Sequence, residues 1–390
     1  MSSIQRDLNL RDSHIRTFNY RNLRRLDWFL LAVTSALAVF GLTALYSASQ
    51  NSGPDTSWLE IYYVRQGIAF CLGLAIALVI VCIDYRALIS LAPFMYFVIL
   101  GLLVAVLFFG HTAMGGQHWL PLIGPFNLQP SEASKIVLVY ALAWYLSLMR
   151  ERAQSVLYFA GAFVIGGGIL ILILAQHDLG TALVIPPVIL VMLYAAGCRK
   201  RYLMIIGTVA AIALPLVFLN IDELPLDNYQ KDRFRSFLRP EADKLGTGYQ
   251  ITQTKIAVGS GQMWGKGLGK GTQTHFKFLP EYHTDFIFAL IAEEMGFVGG
   301  TVVICLFALF MLRGIALARD CPDMAGSLLA VGCVAILGFH VFVNIAITLH
   351  LMPITGIPLP FLSYGGSFCI TTMMCVGTLL SVHVRKGYFD

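Results

Sequence analysis

Four polar segments of the chain hold residues whose types and spacing can do chemistry. The first includes Gly115-Gly116-Gln117-His118-Trp119 and then Gln129-Pro130-Ser131-Glu132-Ala133-Ser134-Lys135. Pro130 and Ser131 suit a helix start, Glu132 complements the dipole in the first turn, and Lys135 follows on the same face. A capped helix with a local ion pair would explain that much. Lys135, however, stands inside an apolar stretch, and intramembrane ions line polar cavities or pathways. The second segment is the tight turn Gln176-His177-Asp178-Leu179-Gly180-Thr181. Asp178 can cap the next helix; as site residues, His177 and Asp178 can bind a metal or a polar substrate. The third, residues 221–283, contains Arg233 among aromatics and a run from Gly248 to Lys255. That run can form an interfacial helix with Gln250, Gln253 and Thr254 on one face. Cations beside aromatics bind a phosphorylated headgroup or merely anionic lipid. The third segment ends in Phe278-Leu279-Pro280-Glu281-Tyr282-His283-Thr284-Asp285-Phe286, at the mouth of an apolar span. Thr284 or Asp285 can be its N-cap. Alternatively, a low-dielectric wall raises the pKa of Asp285 into the working range of a general base. The fourth segment, Pro353–Gly366, is rich in proline and glycine.

The elements that must position these residues are transmembrane helices. The chain has 390 residues, of which 57% are hydrophobic and 13% charged, too little charge to coat soluble domains of that length. Ten stretches are long and apolar enough to span a bilayer: Trp28–Ser47, Val64–Ile83, Leu88–Phe109, Ser131–Leu148, Val156–Leu174, Leu179–Gly197, Tyr202–Asn220, Thr284–Leu312, Met324–Leu349 and Leu362–Val382. The expected fold is an all-α polytopic membrane protein: a basic leader over 1–27, then one membrane domain over 28–390 with a large extracytoplasmic loop, 221–283, between the seventh and eighth helices. Clusters such as Arg24-Arg25, Arg150/Arg152, Arg199-Lys200-Arg201 and Arg385-Lys386 fall in alternate loops, which places both termini in the cytoplasm. All four polar segments then face outward. The formal charge of +5 is thereby a topology signal, not a sign of nucleic-acid binding. The eight cysteines avoid outward loops and suggest neither disulfides nor a Cys-based metal site. Glu293 and Glu294, deep in the eighth span, must be paired, protonated or facing a cavity. The run from Gly265 to Thr272 fails the P-loop spacing and follows no strand; its amides near a phosphate remain open.

Four motifs, in order, resemble those of the SEDS family (shape, elongation, division and sporulation). They are Gln129-Pro130-Ser131-Glu132 with Lys135; Asp178-Leu179-Gly180-Thr181; Phe278 through Phe288; and Pro353 through Pro360 with Ser363-Tyr364-Gly365-Gly366-Ser367. Phe339-His340-Val341-Phe342-Val343-Asn344 is similar to the elongation branch rather than the division branch. The resemblance implies an enzyme of the cytoplasmic membrane that polymerises lipid II, a disaccharide-pentapeptide on undecaprenyl pyrophosphate, into peptidoglycan strands. An α-linked pyrophosphate becomes a β-1,4 bond by one inversion. That needs a base but no acid, since pyrophosphate leaves as an anion. The family motif implies Asp285 as that base; Arg233 and Lys255 are candidates for holding pyrophosphate oxygens. Glu132, Lys135, Gln129, Asp178, Gln253 and Ser363 complete the expected substrate-binding set. A divalent cation, Mg or Mn, is compatible with a pyrophosphate substrate, although no ligand cluster demands it. Expected partners are a class B penicillin-binding protein, other membrane proteins of the elongation machinery, and membrane lipid. The chain departs from the family in having His118 where an Arg is usual before Trp119, and His177 where a Pro is usual before Asp178. His118 can hold phosphate only when protonated. A lipid II flippase and a non-catalytic scaffold are the competing readings. One-sided polar segments and the lack of an inverted repeat favour the enzyme.

Overall fold

The computed structural model describes residues 26–50, 61–113, 116–121, 127–220, 223, 228–243, 246–275 and 278–386. The basic leader, apart from Leu26 and Asp27, lies outside them, as does Gly115. All ten expected spans are helices. In chain order they are α1 (Trp28–Ser49), α2 (Tyr62–Cys82), α3 (Tyr85–Phe109), α4 (Pro130–Leu148), α5 (Val156–Ala175), α6 (Leu179–Ala195), α7 (Lys200–Leu219), α11 (Ile287–Asp320), α12 (Met324–Thr348) and α13 (Gly366–Lys386). Three short helices lie between α7 and α11: α8 (Asn228–Leu238), α9 (Thr247–Ser260) and α10 (Thr272–His275). The segment after α3 adds a small antiparallel ribbon of β1 (His111–Ala113), β2 (Gly116–Pro121) and β3 (Asn127–Leu128).

Seven helices are long and apolar enough to cross a membrane. Of the remaining spans α6 has 17 residues, α4 opens with Pro-Ser-Glu, and α7 opens with Lys-Arg. The core is built on α4, α12 and α13, most of whose residues are buried. Small residues allow this packing: a Cβ on Gly377 of α13 would come within 2.8 Å of the Ala77 Cα of α2. By contrast, no described residue of α7 is buried.

Ion pairs and hydrogen bonds sort the helix termini into two ends. At one, Arg313 meets Asp27 at 2.6 Å, Lys386 meets Asp320 at 2.7 Å, and Arg385 meets Asp84 at 3.6 Å. At the other end, Gln66 Nε2 donates to the Ser363 carbonyl at 3.2 Å, the Gln129 amide donates to Ser367 Oγ at 3.2 Å, and Tyr282 Oη donates to the Ala48 carbonyl at 3.2 Å. The polar segments picked out in the sequence therefore share one end of the bundle.

Candidate active site

The start of α4 sets a buried polar cluster. Lys135 Nζ lies 2.9 Å from Glu132 Oε1, 2.8 Å from Glu132 Oε2 and 2.9 Å from His340 Nε2. Lys135 is 1% exposed, so its charge depends on these partners and on the Phe368 ring, whose centroid lies 5.3 Å from Nζ. Asp178 takes the cap role and ties two elements together. Its Oδ1 accepts the Thr181 amide at 3.0 Å, capping α6, while Oδ2 accepts Ser131 Oγ at 3.0 Å and Gln129 Nε2 at 3.3 Å. Gly180, next in the turn, lets the Pro353–Gly366 segment come close: a Cβ there would lie 2.7 Å from the Thr355 carbonyl oxygen. His177 is exposed in a left-handed conformation (φ 63°), and His118 is half-buried on β2.

Asp285 sits just before α11, in a backbone that is tied at three successive carbonyls. His283 O accepts the Tyr364 amide at 2.9 Å, Thr284 O accepts Ser363 Oγ at 2.5 Å, and Asp285 O accepts Asn344 Nδ2 at 2.9 Å. Two of the three donors come from the Pro353–Gly366 segment and the third from α12. Neither Thr284 nor Asp285 caps α11; its N-terminal boundary residue is Phe286, without a side-chain bond. The mundane role is thus not taken up, and the Asp285 carboxylate is left to the site. It lies near Arg233 of α8, and both groups come close to Gly356. A Cβ on that glycine would stand 3.7 Å from Asp285 Oδ2 and 3.9 Å from Arg233 Nη1. Burial pushes the Asp285 carboxyl up to about 6; the Arg233 guanidinium pulls against that shift and the Glu281 carboxylate adds to it. A carboxylate there is ionised near neutrality yet basic enough to take a proton.

The segment between α7 and α11 is largely helical. The stripe Gly248, Ile251, Thr254 and Ala257 of α9 is buried, which leaves Gln253 half-buried and Lys255 exposed. The expected single face of Gln250, Gln253 and Thr254 is therefore split. Thr254 turns inward and returns its hydroxyl to the Gln250 carbonyl at 2.8 Å. Lys255 lies near His350: burial, and then the Lys255 charge, hold that imidazole below its ordinary range. Ser363, expected to meet substrate, is buried, and its hydroxyl is committed to Thr284 O and to the Leu359 amide at 2.8 Å. Its evident work is to fix the loop.

Glu293 and Glu294 are both paired. Glu293 Oε1 accepts Lys266 Nζ at 2.7 Å, Thr272 Oγ1 at 3.1 Å and the Gln273 amide at 3.1 Å, and Glu294 Oε1 accepts Ser47 Oγ at 2.5 Å. Among the described residues no three His, Cys, Asp or Glu side chains converge as a metal cage. His340 and Asn344, singled out in the sequence only by their likeness to the elongation branch, are both polar residues deep in an apolar span, the same signal that marks Lys135.

Residues 27–388 match the family described as cell cycle protein, FtsW/RodA/SpoVE. A probable peptidoglycan glycosyltransferase FtsW from Geobacter metallireducens is 38% identical over 380 residues, covering 95% of this chain and 98% of that one. The peptidoglycan glycosyltransferase MrdB of Escherichia coli K12 is 36% identical over 362 residues, covering 93% and 94%. Among solved structures, a chain of a peptidoglycan synthase complex that coordinates polymerization and crosslinking superimposes with a TM-score of 0.77 at 32% identity, covering 94% of this chain and 99% of that one. With nearly its whole length matched in sequence and in fold, the chain belongs to the SEDS family of peptidoglycan glycosyltransferases, that of FtsW, RodA and SpoVE.

Proposed function

We propose that this protein polymerises lipid II into glycan strands at the outer face of the cytoplasmic membrane, with both termini inside and Asp285 as the base. The observation that supports this most directly is that the buried Asp285 carboxylate and the Arg233 guanidinium lie beside the same glycine, close enough for the cation to act on the carboxyl. An acceptor hydroxyl and a donor pyrophosphate need that pair of groups side by side. Asp285 takes the proton of the acceptor sugar's 4-hydroxyl as its oxygen attacks the donor's anomeric carbon from the face opposite the pyrophosphate. The anomeric bond breaks with inversion, and pyrophosphate leaves as an anion toward Arg233, whose planar fork matches phosphate oxygens. Lys255, exposed on α9, adds a second cation on that side. The buried Glu132–Lys135 pair and the Gln129–Asp178 cluster shape the wall of the site, and Gln253 borders it.

The partner in this reading is a class B penicillin-binding protein, as the solved synthase complex couples polymerization with crosslinking. The Phe339–Asn344 segment favours a role in elongation, while relatives named FtsW at 38% identity keep division as the second reading. Purified lipid II is supplied to the full chain with its partner in liposomes, and glycan strands are resolved by gel. Wild type is expected to make polymer and Asp285→Asn, inserted to the same level, to make none. Polymer from Asp285→Asn at the wild-type rate would remove the base assignment. No polymer from either, with lipid II crossing the bilayer, would replace the polymerase by a flippase. That outcome is disfavoured by the pairing of Lys135, Glu293 and Glu294 described above.

A further inference from the structure

One face of α12 joins two parts of the site that lie far apart in sequence. His340 and Asn344 stand one turn apart on that helix, 1% and 0% exposed, so neither meets substrate directly. Lys135 is an ammonium with donors only, and its Nζ is 2.9 Å from His340 Nε2, so that nitrogen accepts. The imidazole proton is then on Nδ1, which donates to the Pro358 carbonyl at 3.1 Å. Four residues on, Asn344 Nδ2 donates to the Ile357 carbonyl at 2.8 Å and to the Asp285 carbonyl at 2.9 Å. Consecutive carbonyls of the Pro353–Gly366 segment are thus gripped from one helix face. One grip touches Lys135 and the other touches the backbone of Asp285. Gly356, which lies close to both the Asp285 carboxylate and Arg233, is the neighbouring residue of that segment.

Asn344 Oδ1 is buried without a hydrogen-bond partner among the described residues. Leaving an amide oxygen unsatisfied costs free energy. The residue's contribution therefore lies in its two donated bonds, and those two bonds bind Asp285 to the Ile357–Pro358 peptide.

We infer that His340 and Asn344 are positioning residues that transmit the placement of the Glu132–Lys135 pair to Asp285 through the Ile357–Pro358 peptide; the inference rests on Asp285 being the base. If each side chain only satisfied a nearby carbonyl, each substitution would act independently. If the two form one linkage, breaking it at either point releases Asp285, and breaking it twice adds little.

The test is a set of double-mutant cycles read in kcat and KM for lipid II polymerisation, using the full chain with its transpeptidase partner. Asn344→Ala and His340→Phe are each expected to lower kcat by roughly 10–100-fold, the loss typical of a misplaced reacting group. KM stays within about twofold, because only the transition-state geometry suffers. His340→Gln retains a donor and an acceptor and recovers most of the rate. The pairs His340→Phe/Asn344→Ala and Lys135→Met/Asn344→Ala cost no more than the worse single variant. Combining Asn344→Ala with Lys386→Ala, at the far end of the bundle, simply multiplies two independent effects. Multiplying effects within the His340/Asn344 or the Lys135/Asn344 pair, or raised KM with intact kcat, overturn the inference. Thermal melting identifies any variant lost to misfolding, and Asn344→Leu, which keeps the size but deletes both donors, then takes its place in the same cycles. A wild type without polymer would refute the polymerase itself. A wild type that polymerises, is silenced by Asp285→Asn and ignores these pairings refutes only the linkage.

Discussion

A base buried beside one cation and one anion titrates according to which neighbour remains. As the proposed base, Asp285 must be ionised to accept a proton, and burial sets its carboxyl at about 6, so turnover should fall as pH drops through about 6. Arg233 favours the charged form; Arg233→Gln therefore moves the acid limb to higher pH, besides weakening the hold on pyrophosphate. Glu281→Gln removes a repelling charge and moves the limb to lower pH. A kcat profile between about pH 5 and 8 reads both shifts, and a limb that stays put in both variants would show that another group titrates. Gly356 makes a second prediction. It sits at φ 73°, where a side chain costs about 1–2 kcal/mol, and an added methyl would touch both the carboxylate (3.7 Å) and the guanidinium (3.9 Å). Gly356→Ala should lower turnover further than its small drop in melting temperature explains, and normal activity would show that the space beside the two groups is not used. Asp285 was legible because a carboxylate at the mouth of an apolar run is conspicuous. That Arg233 lies near it was not, since nothing local to α8 says which carboxylate lies close.

At the scale of elements, α11 shows why a span can be read correctly and its shape missed. The helix breaks at Gly296, with φ 67° and ψ −165°, and the 261–269 segment repairs the break. Amides of Lys266 and Gly267 donate to the carbonyls of Glu293 and Glu294 at 3.0 and 2.9 Å. In return the amides of Phe297 and Val298 donate to Gln262 and Met263 at 2.8 and 3.2 Å. Irregular backbone at such a position holds only when its polar groups find partners. The glycine run therefore serves a helix break, and its first amides are spent on carbonyls and not on a phosphate. The sequence could not reveal this, because a glycine within an apolar pattern usually continues the helix. Lys266 completes the joint by pairing with Glu293, whose side chain is fully buried while that of Lys266 is 26% exposed. Lys266→Met strands the carboxylate and should destabilise the fold by up to about 3–5 kcal/mol, toward the lower value given the exposure. Lys266→Met/Glu293→Gln should be milder than Lys266→Met alone. Melting in detergent measures both, and an equal loss in the two variants would show that the pair contributes no more than packing.

For the molecule as a whole, the ten expected stretches are all helices, seven of them long and apolar enough to cross a membrane, because hydropathy over about 20 residues is a strong signal. The gathering of the polar segments at one end followed from counting crossings. What the sequence could not supply was the tertiary stitching at that end, where donors from 344, 363 and 364 meet carbonyls at 283–285. The orientation of that end across the membrane gives the last prediction. The opposite end gathers Arg313, Arg385 and Lys386 with Asp27, Asp84 and Asp320, and short loops rich in Arg and Lys stay in the cytoplasm. A cysteine in place of Lys255, exposed on α9, should then react with a membrane-impermeant thiol reagent in intact cells. A cysteine in place of Lys386 should react only after the cells are opened. The unsubstituted protein, whose Cys71, Cys82 and Cys305 are exposed, serves as the blank. The reverse pattern would turn the Asp285 end toward the cytoplasm. There it would meet no outer-leaflet acceptor strand, and the proposed polymerase would have to be abandoned whatever the geometry of its base.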